Sequence, residues 1–134
     1  MPFFDLDAVT ASYHRCRASE GFVDTFYAHF LAKSEEVARK FQRTDFARQK
    51  LLLRESLLAM LLLNLNSADA REELERLAER HSRQGLDIGP HLYELWLDAL
   101  CEAIEKHDPK FTPKLRDQWR AAMRPGIDLL VSRY

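Results

Sequence analysis

The chain has 134 residues, 46% of them hydrophobic, which suffices for one domain with a sizeable core and excludes disorder as a description of the whole. Acidic and basic side chains nearly cancel, 21 against 20, and no long block of like charge suggests a nucleic-acid-binding arm. Only 4 Gly and 5 Pro are present, too few for the turns of a many-stranded β protein.

Hydrophobic periodicity and capping residues predict an all-α chain of about seven helices. The predicted ranges are about Asp5–Ala18, Phe22–Lys33, Ser34–Phe41, Asp45–Asn64, Ala68–Gln84, Leu92–His107 and Thr112–Tyr134. The predicted N-caps include Asp5, Ser34, Thr44 or Asp45, and Thr112. Pro125–Gly126 should kink the last helix. No linker interrupts this series, so residues 1–134 are predicted to form a single domain.

Cysteine usage and the apolar segments indicate a cytoplasmic protein that does not enter a membrane. Cys16 and Cys101 are far apart and form no CxxC pair, which favours two free thiols in a reducing compartment. The first residues lack the basic and apolar regions of a signal peptide. The most apolar segment, Leu51–Leu65, is interrupted by Arg54 and Glu55 and is too short to span a bilayer.

The segment Arg71–Gln84 carries one unusual histidine. Leu74, Leu77, Ala78 and His81 recur at helical spacing and form an apolar stripe on an otherwise charged helix, which Gly85 is predicted to end. A buried imidazole needs a partner. His81 is therefore either a core histidine bonded to a neighbouring carbonyl or a metal ligand whose iron belongs to a cofactor packed on the same stripe.

A wider pattern favours the second alternative. Phe26-Tyr27, Phe41, Gln49, His81 and Tyr93 occur in an order and spacing that resembles the globins, above all bacterial single-domain globins and the haem domain of flavohaemoglobins. The match to the segment from Ile88 to Tyr93 requires two inserted residues after His81. The resemblance covers nearly the whole chain, from about Tyr13 to Tyr134, and implies a globin fold around a haem b pocket.

The resemblance also implies roles for individual residues. His81 would be the proximal ligand of haem iron, and Tyr93 would contact His81 and so tune the properties of the iron. Phe41 would pack against the porphyrin ring at the turn between two helices. Tyr27 and Gln49 would form the distal pair that stabilises bound dioxygen, beside Leu53, which restricts access to the iron. The remaining pocket residues implied are Leu77, Ile88 and Trp96.

Alternatives remain open at several of these positions. Phe41 could be an ordinary core residue, Tyr27 could reach solvent, and Gln49 could be a surface glutamine. Trp96 is larger than the aliphatic residue expected there. His91 is the rival iron ligand among the other histidines, while His107 sits at a helix end where its charge suits the dipole.

Basic side chains usually meet the haem propionates. Arg48, Lys50 and Arg83 are candidates between which helical spacing cannot choose.

Three functions are compatible with this pattern. The first is reversible binding of dioxygen, carbon monoxide or nitric oxide. The second is a nitric oxide dioxygenase or peroxidase-like enzyme that takes electrons from a separate reductase. The third is a gas-sensing interaction module that signals through a partner surface. We expect the first, with no nucleic-acid or membrane partner.

Overall fold

A computed structural model describes residues 4–134, so Met1–Phe3, which the domain and signal-peptide predictions include, lie outside the described residues. The described residues form seven α-helices and no strand. The helices are α1 Leu6–Ala18, α2 Phe22–Ala32, α3 Glu35–Lys40, α4 Phe46–Leu63, α5 Ala68–His81, α6 Pro90–His107 and α7 Pro113–Ser132. The predicted all-α class and number of helices are confirmed.

Side-chain caps explain where most of these helices begin. Five helices have an N-cap oxygen that accepts from a main-chain N–H of the first turn, and the caps are Asp5, Ser34, Asp45, Ser67 and Thr112. Asp45, and not Thr44, caps α4. Proline occupies the first turns of α6 and α7, where its missing N–H costs nothing, so α6 begins at Pro90 rather than at Leu92 as predicted.

The predicted end of α5 was wrong. The helix ends at His81 and not at Gln84, because the following loop turns back and its N–H groups bond the last carbonyls of the helix. Leu86 N–H donates to Arg80 O at 2.8 Å and Ile88 N–H donates to His81 O at 2.9 Å. Gly85 lies so close to this turn that a Cβ there would stand 2.3 Å from Arg80 O. Its role is to close the loop against the helix.

The helices pack around one apolar core. α2 lies against α6, α4 against α5 and α7, and α1 against α6 and α7. The largest fully buried side chains are Trp119, Phe26, Leu57, Leu74, Leu97, Leu100, Ile104, Met123 and Ile127. α7 continues through Pro125, and the kink predicted there stays a prediction. A Cβ at Gly126 would stand 2.8 Å from Met60 Cε, so α7 and α4 approach closely at this glycine.

Both cysteines belong to this core. Cys16 has no solvent exposure and Cys101 has 4%, and neither forms a disulfide. Burial raises the pKa of the Cys16 thiol to about 12 and that of Cys101 to about 11.

A buried polar cluster joins α1, the end of α6 and α7. Asp108 is 2% exposed and accepts from Arg15 Nε at 2.6 Å, from Ser12 Oγ at 2.5 Å and from Lys110 N–H at 2.9 Å. Ser12 Oγ in turn accepts from Trp119 Nε1 at 2.9 Å. Burial acts to raise the pKa of Asp108, but these hydrogen bonds outweigh it and hold the pKa below its ordinary value of 3.8.

We expect Asp108→Asn to lower the free energy of unfolding by about 2 kcal/mol at pH 7, because a buried carboxylate with charge-assisted bonds is lost. A carboxyl whose folded pKa is depressed stabilises the fold above its unfolded pKa, and this contribution disappears as the pH falls through the folded pKa. Urea unfolding of both proteins from pH 7 into acid should show the difference shrinking. Asp128→Asn, at an exposed position of α7, is the control. A difference that is constant with pH would contradict the assignment.

Candidate functional site

A cavity of about 410 Å³ opens between α2, α3, α4, α5, α6 and α7. Most of its wall is apolar, and the structure brings all nine predicted site residues together around it. They are Tyr27, Phe41, Gln49, Leu53, Leu77, His81, Ile88, Tyr93 and Trp96. The volume lies within the range of small-molecule and cofactor sites.

His81 is the last residue of α5, where the apolar stripe of the helix reaches the cavity. Leu74 and Ala78 of that stripe are in the core, whereas Leu77 and His81 line the cavity. The ring partner of His81 is a hydroxyl and not a carbonyl, since Nδ1 lies 3.0 Å from the Tyr93 hydroxyl oxygen. Burial lowers the pKa of His81 to about 4, assisted by the charge of Arg80. The imidazole is therefore neutral at physiological pH and has a lone pair to offer.

Tyr27 comes to the cavity from α2, and it does not reach solvent. It is 4% exposed, and its ring lies edge-on to Phe41 and Phe46. Its hydroxyl donates to the main-chain oxygen of Gln49 at 3.3 Å, not to the side-chain amide. Burial raises the pKa of Tyr27 to about 12, so the hydroxyl keeps its proton and stays a donor.

Gln49 and Leu53 reach the same cavity from α4, one helical turn apart. Gln49 is half-buried, so the alternative of a plain surface residue does not hold. Phe41 is also half-buried and packs its ring against Tyr27, Phe30 and Phe46. It is therefore both a cavity residue and part of an aromatic cluster.

Trp96 and Ile88 complete the wall beside Tyr93. The indole of Trp96 lies edge-on to Phe26, with ring centroids 6.0 Å apart. α7 adds Ile127 and Leu130, which the sequence patterns did not single out although they fall on its apolar face.

Three charged residues among the described ones line the cavity, and all are cationic. They are Lys40, Arg48 and Arg80. Of the candidates for propionate contacts, Arg48 is thus at the cavity. Lys50 instead pairs with Asp24, and the Arg83 guanidinium lies 4.7 Å from the Tyr134 ring centroid. Lys40 and Arg80 were not predicted as cavity residues. Each is an exposed charged residue next to a predicted site residue, and hydrophobic periodicity does not distinguish it from other charged surface residues.

The rival histidines lie elsewhere. His91 is exposed and its Nε2 bonds Glu36 Oε1 at 2.7 Å, so it does not reach the cavity. His107 is held through both ring nitrogens, by Ser19 Oγ and Thr25 Oγ1 at 2.8 Å each. These two hydrogen bonds, which the sequence did not suggest, make His107 a bridge between α6 and the start of α2.

The loop after His81 is held in place by Tyr134. The Tyr134 hydroxyl donates to Asp87 Oδ1, and Tyr134 O accepts from the N–H of Arg83 at 3.2 Å. Asp87 has a positive φ of 54°, a left-handed conformation that aspartate adopts more readily than most residues other than glycine. The contact with Tyr134 supports this conformation directly before Ile88.

No helix within residues 4–134 combines the length and the hydropathy needed to cross a membrane.

Similarity to known proteins agrees with this architecture. The globin family model matches residues 24–127. A crystal structure from Pseudomonas aeruginosa PAO1, of a protein described as structurally highly homologous to a human hemoglobin, is 44% identical with a TM-score of 0.92, covering 96% of this chain and 97% of that one. No curated protein matches the chain significantly. The helices, the cavity and these similarities together show that the chain belongs to the globin family.

Proposed function

We propose that this globin holds haem b in the cavity through His81 and reversibly binds dioxygen and other diatomic gases there. One observation carries the proposal: a neutral histidine lines a largely apolar cavity whose charged lining residues are all cations. That combination suits a flat apolar cofactor with two carboxylates and a metal centre. When bound, haem iron supplies the coordination site for the gas.

His81 would supply the bond from the protein to iron. Its Nδ1 is engaged by Tyr93, which leaves Nε2 as the nitrogen to donate. The Tyr93 hydroxyl fixes the plane of the imidazole, and in the tautomer that leaves Nε2 free for iron its oxygen would accept from Nδ1–H. Leu77, Ile88 and Trp96 would cover the porphyrin with apolar surface, and Phe41 would wedge its edge.

Tyr27 and Gln49 would stabilise the gas. The Tyr27 hydroxyl keeps its proton and donates it in a 3.3 Å hydrogen bond to Gln49 O. This bond is long, so a better acceptor in the cavity can take the place of Gln49 O. The Gln49 amide offers a second donor, and Leu53 would limit the space around the iron. A preorganised donor is most effective where the surroundings are largely apolar, as the wall of this cavity is.

Lys40, Arg48 and Arg80 would hold the propionates. Lys40 Nζ donates to Leu86 O at 3.1 Å, so it is already directed towards the loop that follows His81. Arginine and lysine both pair with carboxylates, and arginine can do so through two parallel bonds.

We expect Arg48→Ala to speed the loss of haem by a few-fold, because a partly exposed ion pair contributes up to about 1 kcal/mol. Haem transfer to an excess of a competing apoglobin, followed by absorbance, measures the rate. Lys50→Ala is the matched control, since Lys50 is adjacent on α4 but pairs with Asp24. Equal rates for the two variants would remove Arg48 from this role.

The test of the function is an absorption spectrum of the purified protein, reduced with dithionite and then exposed to carbon monoxide or to air. A Soret band that shifts with each gas is the expected result. No Soret band, even after addition of hemin, would reduce His81 to a core histidine bonded to Tyr93. A six-coordinate reduced spectrum would contradict an open iron site.

A second function, nitric oxide dioxygenase or peroxidase-like chemistry, is favoured by the two tyrosines that bracket the cavity, Tyr27 and Tyr93. It requires a separate reductase as electron donor. Steady turnover of nitric oxide in the presence of a reductase would favour the enzyme, whereas a single stoichiometric turnover would favour the gas-binding protein. A gas sensor ranks below both, and purified protein that cannot be loaded with haem would bring it forward.

Two further expectations join the proposal. Residues 1–134 would form one globin domain, supported by a core shared by all seven helices. The cytoplasm would be its location, supported by the two free thiols.

A further inference from the structure

Residues 82–89 form the loop after His81, and the main chain of this loop folds back onto the end of α5. The N–H of Ile88 donates to the carbonyl oxygen of His81 at 2.9 Å. The ring of His81 is held separately, by the hydroxyl of Tyr93. His81 therefore has two supports, Tyr93 for its ring and Ile88 for its main chain, and the second support depends on the conformation of the loop.

Tyr134 holds the outer side of this loop at both of its ends. The Tyr134 hydroxyl donates to Asp87 Oδ1, directly before Ile88, and the Tyr134 carbonyl oxygen accepts from the N–H of Arg83 at 3.2 Å. The Arg83 guanidinium also lies over the Tyr134 ring, 4.7 Å from its centroid. Because the side chains of Arg83 and Asp87 are exposed, these polar contacts and not apolar burial hold the loop at the two positions.

The contact of Tyr134 with the loop does not compete with a cofactor. Tyr134 follows α7 closely, and its N–H donates to Val131 O at 3.1 Å, so it holds the loop from a fixed helix. Within residues 4–134, Lys40 is the other side chain from outside the loop that hydrogen-bonds it, through Leu86 O. Lys40 lines the cavity, where a propionate would draw it away, whereas Tyr134 is not among the cavity residues.

We propose that Tyr134 is a positioning residue for His81 and acts on it through the loop. While the Tyr134 hydroxyl holds Asp87, the neighbouring Ile88 keeps its bond to His81 O, and the end of α5 keeps one position. This inference rests on the proposed function, since a fixed imidazole matters most where it must meet a metal ion in one geometry. Tyr134 thereby governs how firmly the chain retains haem, although it does not line the cavity.

Hydrogen exchange, followed by NMR on the protein as purified, tests the action on the loop without any use of haem. In Tyr134→Phe, the N–H of Ile88 should exchange about fivefold faster, the factor that corresponds to one ordinary hydrogen bond. Asp87→Ala should have the same effect. Asp87→Asn should not, because its amide oxygen still accepts from Tyr134 and asparagine also adopts a positive φ. Tyr13→Phe is the matched control, since the Tyr13 hydroxyl bonds Arg54 O on α4.

Measurements on the protein loaded with haem test the action on His81. In the resonance Raman spectrum of reduced Tyr134→Phe, the iron–histidine stretching band should broaden and move to lower frequency, because the end of α5 is held less firmly. Haem should also pass to an excess of a competing apoglobin a few-fold faster. Neither the band nor the rate should change in Tyr13→Phe. Urea unfolding of each variant separates these effects from a general loss of stability.

Three results would overturn the proposal. The first is an Ile88 exchange rate that is equal in Tyr134→Phe and the wild type. The second is an equal effect of Asp87→Ala and Asp87→Asn. The third is faster exchange with an unchanged Raman band and an unchanged rate of haem loss, which would make Tyr134 a purely structural residue. If the chain takes up no haem even after addition of hemin, the proposed function fails, whereas the exchange of Ile88 still decides whether Tyr134 holds His81 in position.

Discussion

His81→Ala should lower the affinity for haem by more than about a hundredfold, because loss of a partner of a metal ligand already costs tenfold to a hundredfold and here the ligand itself is removed. The variant should show a weak or displaced Soret band. Added imidazole should restore a histidine-like spectrum, since it can enter the space that the side chain leaves.

His91→Ala is the control for this experiment. His91 is the second residue of α6, and its ring bonds Glu36 outside the cavity.

 The His91→Ala variant should keep its haem and the spectrum of a histidine-bound iron. A normal five-coordinate histidine spectrum in His81→Ala would contradict the assignment of His81, and loss of that spectrum in His91→Ala would transfer the role to His91.

Tyr27→Phe should speed the dissociation of dioxygen by roughly tenfold to a hundredfold, which corresponds to the loss of a hydrogen bond to a charged acceptor. Dioxygen draws negative charge from iron, so removal of a donor should affect it much more than carbon monoxide. Stopped-flow mixing of the oxygenated protein with carbon monoxide measures the dissociation rate of dioxygen.

Tyr13→Phe is a closely matched control. Tyr13 is 4% exposed, as is Tyr27, and its hydroxyl donates to the main-chain oxygen of Arg54 at 3.4 Å, much as that of Tyr27 donates to Gln49 O at 3.3 Å. It does not line the cavity, so its loss should leave the dissociation rate unchanged. Similar rates for Tyr27→Phe and the wild type would exclude Tyr27 as the donor.

Helix positions and cavity residues were predictable where the signal is local. The caps at Asp5, Ser34 and Thr112 can be predicted from residue type alone. A short side chain with an oxygen accepts readily from the free main-chain N–H groups of the first helical turn. His81 stood out because a histidine replaced an apolar residue in a periodic stripe. The resemblance to globins then supplied Tyr27 and Gln49, which no local pattern distinguishes from a core tyrosine and a surface glutamine.

The features that were missed depend on contacts between distant parts of the chain. α5 ends early because the loop after it folds back, and Gly85 alone does not reveal where. Lys40 and Arg80 reach the cavity only once α3 and α5 have packed. The bonds of His107 to Ser19 and Thr25 join residues more than eighty positions apart, which periodicity cannot detect.

The burial of both cysteines has a practical consequence for labelling. The thiolate is the reactive form, and at pH 7 a thiol whose pKa is about 11 or 12 is ionised in about one molecule in ten thousand or fewer. An exposed cysteine introduced in place of Ala28 would be ionised in a few per cent of molecules. A maleimide dye would therefore attach at one chosen position, with the native thiols left in place. Fluorescence measurements on this chain need no cysteine-free background.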